Sequence, residues 1–594
     1  MRAPPPRRRP YCAAVVVSAV MAACAGAPAP APDAARGAPC THRRACVGGA
    51  VRYEAPRPTA TGVATSGPLR PAAFVALALT DGRGSVLARG RTDRDGRFVM
   101  PRPPRAASLE VQAQTEVGGA PLFVSPASDG SRPYARAVPL DGDASRLDVV
   151  FRAGRDPFAG ALRIVESLRL GALAVRRWTG RTLPAFFAYW RRGRTYRWSD
   201  YRGEVPAGSG RYSVELLAGR WAHRATDDAD EQDDAIVLHE YAHFVMDMLS
   251  TDSSHGGSHP DGYLLDPGLA WEEGRATWFA AATLGSPIYK DSVGTRPFGH
   301  LRFDHDLERG AGAPYGPGSE QWVAAVLWDL ADGAGGLLDT DGDPVALGPA
   351  GVLDAMMALR DVPGAYPDLT TFLCFLEGTG RVDRAALDRL LAMNNAPARL
   401  RCGDATARPP GPWPVDLALP GAARGRLDSR SNPAPSGGRP HPGTGEDAVD
   451  VYRIHLTAQG VLRARVSWWP VDARGRPAPG DRTGGVRIEL RTIRSVLIDA
   501  ARGPGRTLAV ERALAPGYYV VYVRDDGSPT RARYRLRVAV DPPGRAGDPA
   551  GRRADAPRTT RDGAARRSSD PGKRDDAVRP AARPGVRDGG LGRR

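Results

Sequence analysis

The sequence predicts a multidomain chain in which an α+β core stands between N-terminal and C-terminal β-sandwich domains. Three observations predict it. The chain has 594 residues, room for three or four domains at about 100–200 residues each. Residues 46–155 and 447–541 carry short alternating apolar runs punctuated by Gly, Pro and Asp, the pattern of strands and turns. Residues 156–402 mix such runs with longer segments whose apolar positions recur at helical spacing. With 42% hydrophobic residues the composition is that of a globular protein, which excludes a chain disordered throughout.

Taken in chain order, residues 1–23 read as an export signal. Arg7, Arg8 and Arg9 form a positive start, and Cys12 to Ala23 is a short apolar core. No later stretch reaches the roughly 18 apolar residues of a membrane span, so an integral membrane protein is not expected. Met21-Ala22-Ala23-Cys24 resembles a bacterial lipobox, with Met where Leu is usual. The resemblance implies a lipid on Cys24, the chain's expected contact with membrane. The other reading is cleavage after a small residue such as Ala25 and release of a soluble protein. Either way the expected location is outside the cytoplasm, in the cell envelope or secreted. Residues 24–45, rich in Ala and Pro, read as a tether. In an oxidising compartment Cys40, Cys46, Cys374 and Cys402 allow three disulfide connectivities, of which Cys40–Cys46 with Cys374–Cys402 is the local one.

In 46–155, Ala73 to Thr80 is a strand, Asp81-Gly82-Arg83-Gly84 a hairpin turn, and Ser85 to Arg89 the return strand. The turn Thr92-Asp93-Arg94-Asp95-Gly96-Arg97-Phe98 resembles those of transthyretin-like, carboxypeptidase-regulatory-type sandwiches, which implies a bracing or binding module. In 156–402, Ala161 to Trp178 has helical spacing, Ala185 to Trp190 and Tyr212 to Ala218 read as strands, and helices dominate to Leu400. Residues 403–446 read as a Pro/Gly-rich linker. The strands Val451 to Leu456, Val461 to Trp468, Val486 to Leu490, Tyr518 to Val523 and Tyr534 to Val540 follow. They resemble the β-sandwich modules at the C-terminal side of secreted bacterial peptidases. Residues 542–594, with almost nothing to bury, read as a disordered tail.

The net charge of +16 does not point to nucleic acid. Lys occurs only at Lys290 and Lys573, and Arg is scattered among Asp along the whole chain instead of clustering on one face.

The motif that carries chemistry is Val237-Leu238-His239-Glu240-Tyr241-Ala242-His243-Phe244. On a helix His239 and His243 face the same way, so both imidazoles reach one Zn²⁺. Glu240, one residue on from His239, faces a metal-bound water instead of the metal. The acidic run Asp227 to Asp234 suits a helix N-terminus, with Asp230 as the expected cap. A catalytic zinc site needs a third protein ligand. Downstream lies Leu269-Ala270-Trp271-Glu272-Glu273-Gly274-Arg275-Ala276-Thr277. Here the chain resembles the gluzincin metallopeptidases, in which a second helix supplies a Glu ligand, often within Glu-Gly-x-Ala. The resemblance implies Glu273 as that ligand and Thr277 as a hydroxyl supporting a ligand His. Gly274, Ala276 and Ala280 would let the second helix approach the first. The stretch between His243 and Glu273 is longer than is usual in the thermolysin-like and aminopeptidase-N-like subfamilies and carries His255 and His259. These two, or Glu272, are the competing third ligands. Metzincins are excluded, because Met246 and Leu249 stand where their Gly and third His would be.

Ser319 to Leu330, ending in Leu-Trp-Asp-Leu, reads as a further helix, either one on which Glu320 faces the site or simply a core helix with aromatic packing; such segments follow the HExxH and Glu helices in a set of exported bacterial proteins that the core resembles. Asp339-Thr340-Asp341-Gly342-Asp343 alternates carboxylates as some Ca²⁺ loops do but lacks their later Glu, so it reads first as a solvated turn and second as a Ca²⁺ loop. Tyr315, His300 and His305 are candidate oxyanion donors, and the strand Tyr212 to Ala218 a surface for pairing with extended substrate. The expectation is an exported zinc-dependent peptidase with one Zn²⁺ per chain, Glu240 as general base and a peptide or protein substrate. The other reading is a catalytically silent surface protein acting through its sandwich modules.

Overall fold

The computed structural model describes residues 46–542 except 60–61, 65, 142–144, 194–198, 220–227, 252–255, 257–258, 260–263, 294–301, 311–314, 397–401, 403–413, 429–447, 479–483, 504 and 527–529. The expected signal, Cys24, the tether with Cys40, and the tail beyond 542 lie outside the described residues.

Two four-stranded sheets form the N-terminal sandwich. Strand Cys46–Glu54 centres the first, pairing antiparallel with Arg97–Pro101 and Leu69–Pro71 and parallel with Val149–Phe151. The second runs Ala135–Pro139, Ser108–Gln112, Ala76–Thr80, Val86–Arg91, antiparallel throughout. Its hairpin is closed by Asp81, whose carboxylate accepts from the backbone N–H of Arg83 (2.9 Å) and Ser85 (2.8 Å), while Gly84 takes φ +82°. Asp93 repeats the device on Asp95 and Arg97.

A five-stranded mixed sheet follows, in the order Asp200–Glu204, Arg211–Leu216, Ala185–Trp190, Ala120–Ser125, Gln114–Val117. It crosses the expected boundary at 155/156, because Ala120–Ser125 pairs in parallel with Ala185–Trp190. Leu122, Val124, Phe186, Ala188 and Val214 are buried in one apolar core that runs from the N-terminal sandwich into the helices. Alternation identifies a strand but says nothing of its partner, which is why the two segments read as separate. The same sheet corrects a second expectation. Arg211–Leu216 is paired on both sides, by Asp200–Glu204 and by Ala185–Trp190, so its backbone has no edge left for a substrate.

Seven α-helices are present among the described residues: α1 (Phe158–Thr179), α2 (Asp234–Leu249), α3 (Pro267–Leu284), α4 (Glu320–Ala331), α5 (Gly348–Leu359), α6 (Leu369–Gly378) and α7 (Arg384–Met393). None is long and apolar enough to cross a membrane. Gly171 lets α1 lie close on α2, since a Cβ there would run into Tyr241 and Leu238. Arg163 of α1, 3% exposed, fixes the start of α2. Its guanidinium donates to Asp234 Oδ1 (2.8 Å), Gln232 Oε1 (3.1 Å) and the carbonyl of Pro56. Asp234 is also paired with Arg70 (3.2 Å).

The C-terminal sandwich stacks a five-stranded sheet on a four-stranded one. It begins earlier than expected: Val415–Asp416 and Gly421–Asp428, inside the predicted linker, are strands of its two sheets. The small residues that made this stretch read as linker have a packing reason, because a Cβ on Gly425 would collide with the ring of Tyr534. Tyr366, between α5 and α6, packs with Val451 and Tyr522 of this sandwich and shares a hydrogen bond with the Tyr522 hydroxyl (2.9 Å).

Cys374 in α6 is bonded to Cys402, 28 positions further along the chain, with Cα atoms 5.3 Å apart. Closing a loop of that length removes about 3–4 kcal/mol of chain entropy from the unfolded state. Cys374→Ser is therefore expected to lower stability by about that amount, read as a fall in unfolding midpoint relative to the oxidised parent; equal midpoints would show the bond carries no stability.

Candidate metal centre

The acidic run before α2 works differently from a simple cap. Asp230 lies in a short 3₁₀ turn, Asp230–Gln232, and accepts a hydrogen bond from Ser199 Oγ. Asp233 holds the N-cap position but makes no capping bond; its carboxylate instead accepts from the backbone N–H of Ser292 (3.0 Å) and from the Ser292 hydroxyl. The expected Asp230 cap is thus replaced by a tether between α2 and strand Ile288–Ser292. The reason is tertiary, since Ser292 competes for the oxygen that a free helix would turn on its own N–H groups.

Helix α3 starts more conventionally. Asp266 accepts from the N–H groups of Gly268 (3.0 Å) and Leu269 (3.2 Å), with Pro267 in the first turn. Gly285 ends the helix at φ +64°. Gly274 serves a different neighbour from the one expected: a Cβ there would strike Val323 and the carbonyl of Glu320, so it admits α4. Ala280 clusters with Ala235 and Leu238 of α2.

This packing brings His239, His243 and Glu273 together, with one ligand atom from each lying within 4.8 Å of the others. Glu273 Oε2 is 3.0 Å from His239 Nε2 and 3.3 Å from His243 Nε2. The His239 and His243 rings stand 5.0 Å apart at 78°. Thr277 Oγ1, one turn along α3, lies 3.1 Å from His239 Nδ1. Two imidazoles and a carboxylate form a donor set suited to Zn²⁺, and three ligands leave a coordination position open. Glu240 is 8% exposed, and among the described residues its carboxylate accepts no hydrogen bond.

The electrostatics follow from burial and proximity. Burial would raise Glu273, but His259 and His243 outweigh it and hold the carboxyl well below its usual range. Burial lowers His239. The same burial effect on His243 is overcome by Glu273, which holds that imidazole up at about 9. Burial pushes Glu240 up to about 8, with Glu273 adding to the shift and His243 opposing it. A cation among the three ligands would act in the opposite direction, favouring the ionised carboxylate.

The competing residues are also located. Glu272, about 100° around α3 from Glu273, is taken up by the fully buried Arg275, which also donates to Ser250 Oγ (3.2 Å) and the carbonyl of Thr251. Glu272 is itself 3% exposed. His259 Nε2 lies 3.5 Å from Glu273 Oε1, and its Nδ1 is 3.1 Å from Glu320 Oε2. His259 thus links α3 to the first residue of α4. His255 and His300 lie outside the described residues. Tyr315 is 37% exposed, and His305 is stacked beside Tyr289 at 6.4 Å. Sequence reasoning missed Tyr289, whose ring centre is 6.0 Å from that of His239. Ile288–Ser292 reads Ile-Tyr-Lys-Asp-Ser, with no apolar–polar alternation to mark Tyr289 as an inward residue.

Residues 195–344, about a quarter of the chain, match the family model described as the mycolysin C-terminal domain. That domain is found in secreted metallopeptidases, which gives this segment a peptidase-related context. No curated protein matches the chain. Among solved structures, it is similar to the pre-peptidase C-terminal domain of collagenase from Bacillus anthracis, with 17% identity, 22% of this chain and 97% of that chain covered, and a TM-score of 0.15. It is also similar to the isomalto-dextranase of Arthrobacter globiformis T6 complexed with panose, with 15% identity over 16% of this chain and 17% of that chain, at a TM-score of 0.12.

Proposed function

We propose that this chain is an exported zinc-dependent peptidase whose metal is held by His239, His243 and Glu273. The observation that supports this most is the convergence of those three ligand atoms within 4.8 Å, beside the buried Glu240, in a segment matching a peptidase-associated domain. When bound, Zn²⁺ supplies a Lewis acid that acidifies water and polarises a carbonyl. Glu240 takes the proton of the attacking water on its carboxylate and delivers it to the leaving amine. Thr277 orients His239 through Nδ1, which keeps Nε2 directed at the site. One edge of the five-stranded sheet among the described strands is Asp200–Glu204, and it packs beside α2 through the Tyr201 hydroxyl on Asp247 Oδ2 (2.8 Å). Export, with lipid on Cys24 or by free secretion, belongs to the same proposal.

Elemental analysis of the purified protein is expected to find one zinc per chain, and His243→Ala to release it. Full zinc occupancy in His243→Ala would move the site elsewhere. His259→Ala should keep the metal; loss of zinc there, with retention in Glu273→Gln, would make His259 the third ligand. Digestion of a diverse peptide library, read by mass spectrometry, tests the activity itself. A zinc-loaded protein that cleaves nothing would favour the silent surface protein.

A further inference from the structure

Helix α4 ends at Ala331, and the chain turns through Asp332 into the loop that reaches Asp343. Carboxylate oxygens of Asp329, Asp341 and Asp343 lie within 4.8 Å of one another, and so do those of Glu308, Asp339 and Asp341. Asp332 is fully buried, and among the described residues no N–H or hydroxyl group donates to its carboxylate, which faces that of Asp343. Both oxygens of Asp343 and Oδ1 of Asp329 likewise accept from no such group. Among the described residues, no Lys or Arg forms an ion pair with any of these six carboxylates.

Two of the six have a structural task. Glu308 accepts hydrogen bonds from Trp328 Nε1 (2.7 Å), from Thr340 Oγ1 (2.6 Å) and from the Thr340 backbone N–H. Asp339 Oδ1 accepts from the N–H groups of Asp341 (3.1 Å) and Gly342 (2.7 Å). These bonds curl the loop back over the end of α4. Of the other four, Asp329, Asp341 and Asp343 converge, and Asp332 lies against Asp343. Burial, then the charges of Asp343, Glu308 and Asp329, push Asp332 up to about 9. Burial and Asp343 push Asp329 up to about 8. An ionised carboxylate removed from water without a cation costs several kcal/mol, so the cluster must take up protons or a metal.

We infer that Asp329, Asp332, Asp341 and Asp343 bind one Ca²⁺ ion at the end of α4. The donors are all hard oxygens, with no imidazole or thiolate, which disfavours zinc and its neighbours. Oxygens that sit about 2.3–2.6 Å from a central ion lie at most about 5 Å apart, the spacing seen for Asp329, Asp341 and Asp343, with Asp332 beside Asp343. Mg²⁺ retains several waters and is held by one or two carboxylates, whereas this site offers four, from α4, its C-cap and the 339–343 loop. The ion would clamp the last turn of α4 to the 339–343 loop. Because α4 carries Glu320, the partner of His259, the clamp would also steady the helix beside the metal centre. The inference does not depend on the zinc reading.

The test is calorimetric titration of the full chain, dialysed free of metal, with CaCl₂ and separately with MgCl₂. One saturable Ca²⁺ per chain is expected. At calcium some hundredfold above Kd the unfolding midpoint should rise by about 5 °C or more. Asp332→Asn with Asp343→Asn should abolish the binding. If that pair fails to fold, Asp343→Asn alone, on a half-exposed residue, should lower affinity at least tenfold. His243→Ala should bind Ca²⁺ as the parent does, which separates this site from the zinc centre. Absence of saturable uptake at millimolar calcium, an unchanged affinity in Asp343→Asn, equal binding of Mg²⁺, or loss of the calcium signal in His243→Ala would each overturn the inference.

Discussion

Glu240→Gln is expected to leave zinc bound while slowing peptide hydrolysis by about 10²–10⁴-fold or more, the usual worth of general acid–base catalysis. The substitution keeps the shape of the side chain and removes its basicity. Glu240 is not one of the three converging ligand atoms, so metal content should not change. Glu273→Gln is the contrasting variant. Its carboxylate lies 3.0 and 3.3 Å from the two imidazoles, so the loss should reach zinc affinity as well as activity. Glu272→Gln should spare the zinc, because Glu272 faces Arg275. Zinc content and peptide cleavage measured on the three variants side by side decide the roles. A Glu240→Gln protein with parental activity removes the proposed base; a Glu272→Gln protein without zinc shifts the third ligand by one residue.

Arg163→Met is expected to cost about 3–5 kcal/mol of stability at neutral pH, the range for breaking a buried charge pair from one side. Arg163 and Asp234 are both largely buried, and Arg163 also holds Gln232 and the carbonyl of Pro56. Burial alone would raise Asp234, but Arg163 and then Arg70 outweigh it and hold the carboxyl down at about 2. The sign of the pH dependence follows. A carboxylate depressed in the folded state adds stability above its unfolded value near 4, and that contribution is lost as pH falls toward 2. The gap between parent and variant, read from urea unfolding at pH 7 and pH 3, should therefore narrow at the lower pH. A gap that is the same at both values would assign the cost to lost packing of the Arg163 stem and not to the ion pair.

What could be read from the sequence is what a segment does within its own backbone. His239 and His243 were legible as a pair because four residues make about one helical turn, whatever surrounds the helix. The strands of the C-terminal sandwich were legible from alternation, and the Asp81 and Asp93 turns from Asp and Gly at set offsets. Partners distant in sequence were not. Gly274 was assigned to the wrong neighbour because a small residue announces a close approach but not by which helix; the structure puts Val323 of α4 there. The strand at Tyr212 lost its free edge to Asp200–Glu204, and Asp230 lost its cap to the tether between Asp233 and Ser292. The loop 339–343 showed three alternating carboxylates, but Glu308, Asp329 and Asp332 reach it from a different strand connection and from the end of α4. Periodicity and turn chemistry are local and survive in the sequence. Which faces meet is decided by packing side-chain volumes and pairing buried charges across the whole core, so only the tertiary structure brought Val323 to Gly274 and Asp332 to Asp343.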